Sequence, residues 1–103
     1  MFYHDVEPTL AEEAASKVVP HANKCFTTPT KHAGWRPYPC AFVITTEDHV
    51  ARPAMIRWML DEVLFKDPKI KARWDVHELQ SSHSPFLSVP EKCAEIIERY
   101  AKA

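Results

Sequence analysis

Two side chains in this sequence stand where chemistry could be done. Asp48 follows an apolar, β-branched run at 39–46 (Pro-Cys-Ala-Phe-Val-Ile-Thr-Thr), and His83 follows a second β-type segment at 73–79 (Arg-Trp-Asp-Val-His-Glu-Leu). Open α/β sheets gather their ligands beyond the carboxyl ends of the strands, where both residues fall. A carboxylate bonded to imidazole Nδ1 fixes the tautomer and leaves Nε2 to take a proton from a nucleophile. Each residue alone has a plainer reading. An aspartate at a strand end often caps the next helix or sits in a turn, and a loop histidine is usually solvated. Glu47 competes with Asp48, but its side chain should point to the opposite face of the strand end. The pair argues better than either residue. An acid after one strand and a histidine after the next, joined by a right-handed crossover, face each other across neighbouring loops.

The elements that must position them follow from periodicity. Residues 40–44 are continuously apolar, which suits a parallel strand covered on both faces. Met55, Ile56, Met59, Leu60, Val63 and Leu64 form a helical stripe entered through Pro53 and ending near Asp67 and Pro68. Trp74 and Val76 alternate with Arg73, Asp75 and His77, as in a half-covered edge strand. Ser88 and Glu91 form a capping box around Pro90, opening a last helix with Cys93, Ile96, Ile97 and Tyr100 on its apolar side. Residues 1–37 contain no β-rich run. Thr9 with Glu12 reads as a capping box, and Leu10, Ala14 and Val18 predict a helix from about Thr9 to Val19, stopped by Pro20. Residues 21–39 read as a short helical turn and irregular chain. The fold class is therefore α/β, with strand, helix, strand, loop and helix after an N-terminal helical part. Two strands make a poor sheet, so the pair reads as one edge of a larger one.

Composition excludes several functions. Fourteen acidic and thirteen basic residues leave a formal charge of -1, with no block of one sign to suggest nucleic acid or a membrane surface. The longest apolar run is too short to span a bilayer, and the first residues lack the layout of a secretory signal. Three cysteines, Cys25, Cys40 and Cys93, are too few and odd in number for a disulfide framework, which favours a reducing, cytoplasmic setting. One glycine, Gly34, stands where average usage gives about seven. Phosphate loops, dinucleotide fingerprints and serine elbows need more. No cofactor is expected.

The segment Val-Ile-Thr-Thr-Glu-Asp at 43–48 resembles the acid-bearing strand and loop of the α/β-hydrolase superfamily. More narrowly, it resembles the branch containing plant methyl-ester esterases and hydroxynitrile lyases. His-Ser-Pro-Phe-Leu-Ser-Val-Pro-Glu at 83–91 is similar to that branch's histidine loop and final helix, and Phe-Tyr-His-Asp at 2–5 to the end of its cap. The resemblance implies a partial α/β-hydrolase fold, with residues 1–37 ending the cap or lid and residues 38–103 forming the C-terminal part of the core. It implies Asp48 as triad acid, His83 as general base, and a small-molecule ester or acyl substrate. Family order is serine, acid, histidine. No Gly-x-Ser-x-Gly occurs in this sequence, and Ser81, Ser82 and Ser84 lie on no strand-to-helix elbow. The expectation is a C-terminal piece of a serine hydrolase, completed by an N-terminal half and inactive alone. The acid-to-histidine separation exceeds that usual in the branch, with the excess around residues 65–71.

Rival readings are thinner. His21 and Cys25 have i, i+4 spacing, but no second pair follows at zinc-like spacing, so no metal is expected. The cysteines read as small buried hydrophobes. His4, His32, His49 and His77 read as solvated, and Trp35, Trp58 and Trp74 as packing groups. A non-catalytic interaction module is the alternative function, with self-association through exposed strand edges. Substrate identity, and hydrolase against lyase chemistry, lie beyond this reading.

Overall fold

A computed structural model describes residues 1–102 of the 103. Glu7 opens the first helix, α1 (Pro8–Ser16), by accepting from the Thr9 and Leu10 amides at 3.1 and 3.0 Å. A carboxylate at this end is favoured because it meets unpaired amides and the positive end of the helix dipole. The cap is therefore Glu7 rather than the predicted Thr9, and the helix closes at Lys17, short of Val19. Val18 and Val19 stay exposed. A single turn, α2 (Lys24–Thr27), and irregular chain lead to the first strand, β1 (Cys40–Thr45).

β1 pairs in parallel with β2 (Trp74–Leu79), Cys40 opposite Trp74 and Thr45 opposite Leu79. Between them run α3 (Pro53–Met59), a π-helical turn (Leu60–Leu64) and α4 (Pro68–Lys71), whose amide at Lys69 is capped by Asp67. After β2 come α5 (Pro85–Ser88) and α6 (Pro90–Ala101). Val89 occupies the cap position of α6 without a side-chain bond; Ser88 closes α5 instead, so the predicted capping box does not form.

Trp74 organises the amino ends of the strands. Its ring meets Trp35 edge-on at 5.4 Å and Phe65 edge-on at 6.2 Å, and stacks with Phe42 at 6.5 Å. Trp58, by contrast, is exposed. The alternation read in β2 breaks at its centre. Val76 is exposed and His77 half-buried, because His77 Nε2 meets the Tyr100 hydroxyl, which donates to Asp75 Oδ2 at 3.0 Å.

The buried apolar residues are Val6, Ile44, Leu60, Ile70 and Leu79. Other members of the predicted stripes, including Met55, Val63 and Ile97, face outward, and β1 is covered on one face more than the other. The chain exposes 8095 Å², against about 6,000 Å² for a compact monomer of its mass. Its radius of gyration is 15.7 Å, against about 13 Å for a compact chain of this length. The apolar surface is thus incompletely covered. What core exists is thinly shared, so Ile44→Ala, at a site only 2% exposed, is expected to cost about 2–4 kcal/mol. A urea midpoint unchanged by this substitution would contradict that placement. No helix among the described residues is long and apolar enough to cross a membrane.

Candidate active site

The two strands end side by side, and the chain beyond each end stays paired. Thr46 N donates to Leu79 O at 2.9 Å and Glu47 N to Ser81 O at 3.1 Å, carrying the parallel register into both loops. The acid loop then turns, with Asp48 N bonded to Thr45 O. Asp48 Oδ1 accepts from the amides of Val50 and Ala51 at 2.8 and 2.9 Å, closing an Asx-type turn. The turn ends before α3 begins at Pro53, so Asp48 is not that helix's cap.

Its other oxygen is shared by two donors. Thr45 Oγ1 donates to Asp48 Oδ2 at 2.8 Å, and His83 Nδ1 lies 2.9 Å from the same atom. The Asp48 side chain is 4% exposed and that of His83 37%. Burial alone would push the Asp48 carboxyl up. Hydrogen bonds from His83, the Val50 amide, Thr45 and the Ala51 amide outweigh it and hold the group at about 2. An ionised carboxylate only accepts, so His83 Nδ1 donates to it, the arrangement that in a neutral imidazole leaves the lone pair on Nε2. Among the described residues Nε2 has no hydrogen-bond partner.

The sequence placed both residues here, and the structure joins them across 35 positions. Glu47, the competing acid, points to solvent and accepts from Gln80 Nε2 at 3.0 Å. Replacing Thr45 with valine removes one donor at a cost of about 1 kcal/mol. The titration midpoint of Asp48, followed by its carboxyl carbon resonance, should then rise above about 2. An unmoved midpoint would mean that Thr45 does not hold the acid.

The histidine loop is held by serines that the sequence reading weighed only as nucleophiles. Ser81, Ser82 and Ser84 are buried. The hydroxyls of Ser81 and Ser88 meet at 2.7 Å, and Ser88 Oγ lies 3.3 Å from Ser84 O. A buried hydroxyl needs such a partner, and Ser88 supplies it to Ser81. Asp5 was also missed. Its Oδ2 accepts from Ser82 N at 2.8 Å, a contact between residues 77 positions apart. Partial burial opposes ionisation of Asp5, but hydrogen bonding by Ser82 prevails and keeps the carboxyl below its ordinary value.

An open groove of about 340 Å³ runs beside Asp48 and His83, walled by Phe42, Ile44, Ile56 and Phe86. Four consecutive residues of β1, 42–45, line it, and a second groove of similar volume takes 39–41 and Val43. Alternate residues line a strand's face, whereas consecutive ones line its edge. The first groove therefore follows the unpaired edge of β1, whereas the second lies over the sheet between β1, β2 and α6, against Asp75, Ile96 and Tyr100. Among the described residues no three His, Cys, Asp or Glu side chains are grouped to hold a metal ion.

No family model and no curated protein matches this chain. The functional reading therefore rests on its own residues and their geometry.

Proposed function

We propose that Asp48 and His83 are the acid and general base of a serine-hydrolase triad on an α/β-hydrolase scaffold, acting on carboxylic esters or similar acyl compounds. The observation that carries the reading is the bond from His83 Nδ1 to a buried, ionised Asp48, with the ring opening onto an apolar groove. No serine elbow lies within these 103 residues, so the nucleophile comes from outside this sequence. The excess exposed surface and the open edge of β1 support a chain that forms part of a larger sheet.

In such a site the serine oxygen attacks the acyl carbon while His83 Nε2 takes its proton. The imidazolium formed is stabilised by Asp48 through the Nδ1 proton. It returns the Nε2 proton to the departing alcohol as the acyl–oxygen bond breaks. Water then attacks the acyl-enzyme by the same proton transfers and releases the acid. The groove walls suit an apolar acyl or alcohol group.

The test is complementation. The chain is mixed with a serine-elbow half of an α/β-hydrolase supplied as a second polypeptide, and assembly is checked by mass in solution. Turnover of an activated ester by the assembled pair is expected, and none above the solvent rate by the chain alone. Assembly with turnover indifferent to His83 would defeat the triad role, and His83-dependent turnover by the chain alone would defeat the need for an outside serine.

The open edge also favours a second reading, an interaction module pairing β1 with another chain. A discrete oligomer whose mass holds over a wide concentration range would favour it.

A further inference from the structure

The segment Phe2–Asp5 touches both candidate catalytic loops at once, and from that juxtaposition we infer that it is a strap positioning His83 against Asp48, with Asp5 as its principal positioning residue. This inference rests on the triad reading above. Three attachments carry it. The Phe2 ring lies against the His83 imidazole, centroids 5.4 Å apart and planes tilted by 60°. His4 stacks on His49, the residue next to Asp48, at 4.0 Å and 7°. Asp5 Oδ2 holds the amide of Ser82, the residue before His83, at 2.8 Å. Ser82 Oγ adds a longer bond to Phe2 O at 3.4 Å.

The segment is itself anchored. Val6 is buried, and its amide donates to Tyr3 O at 3.1 Å, closing a turn over residues 3–6. One short stretch thus bridges the loops that carry acid and base, beyond what the strand ends provide. Asp5 is the strongest link, because a carboxylate accepting a backbone amide makes a charge-assisted bond. Phe2 acts differently, packing against the His83 ring itself. Such support matters because catalytic geometry tolerates only a fraction of an ångström of misplacement.

The test reads the His83 Nδ1 proton by NMR in the full chain, without ester, so it does not depend on turnover. In the parent chain this proton should be visible downfield and slow to exchange. Asp5→Ala should speed its exchange roughly tenfold, as for loss of one charge-assisted bond. Asp5→Asn keeps an acceptor and should restore slow exchange. Glu7→Ala, which uncaps α1 and leaves the strap alone, should change nothing at His83. Should Asp5→Ala fail to fold, Phe2→Ala takes its place, with the Ser82 amide still protected and the His83 proton exchanging faster. A protected proton indifferent to both Asp5→Ala and Phe2→Ala would overturn the strap and spare the triad. A parent chain without any protected Nδ1 proton would sink both.

Discussion

Replacing Asp48 with alanine is expected to destabilise the protein by about 3–5 kcal/mol, enough to unfold much of it at room temperature. Four donors lose their acceptor together: the Thr45 hydroxyl, the Val50 and Ala51 amides, and His83 Nδ1. A buried donor left unpaired costs about 1–3 kcal/mol, and water entering the gap recovers part of that total. The small core cannot absorb the loss. Urea unfolding of the two chains gives the difference, and a midpoint within error of the parent would refute the account of the acid loop.

The same carboxylate sets an acid limit on stability. Its value falls from an ordinary 3.8 to about 2 on folding, which corresponds to about 2 kcal/mol. A depressed carboxylate stabilises the folded state fully above its unfolded value. The contribution should therefore be complete above about pH 4, shrink as pH falls towards 2, and vanish below. Asp5, also held low, adds in the same sense. Asp48→Asn should flatten most of this limb and leave the remainder due to Asp5 and Glu7.

His83→Ala should separate activity from stability. Asp48 would keep three of its four donors, so the folding cost is only about 1–2 kcal/mol. In the complemented enzyme, loss of the base should lower kcat on the order of 10⁴-fold or more. The serine would then have no group to take its proton at neutral pH. Asp48→Asn should cost activity as well, because an amide in place of the carboxylate no longer favours the Nδ1–H tautomer. Steady-state ester hydrolysis by assembled pairs checks both. A His83→Ala pair within tenfold of the parent would rule out the base role.

The strands were legible because their signal is local. Six residues of β1 are apolar or β-branched in succession, and β2 carries enough bulky side chains to read as a strand despite Asp75, His77 and Glu78. The helix entered at Pro53 was legible for the same reason, as was the ending of each strand in a loop bearing a titratable residue. Capping misled at both ends of the chain. Serine and threonine at cap-like spacing are weak signals when a neighbour competes, and Glu7 and Val89 took the cap positions.

By itself, then, the sequence determined the α/β alternation, the parallel crossover and the presence of an acid and a histidine on one rim. Tertiary structure alone fixed the bonds that hold Asp48 inward, from the Val50 and Ala51 amides, while Glu47 turns out to Gln80. It also decided that Asp5 reaches Ser82 and that His77 leaves solvent for Tyr100. Periodicity reports which face of an element a residue occupies. Partners tens of residues away depend on how the elements pack, and hydrogen-bond geometry is fixed only once that packing brings donor and acceptor within about 3 Å.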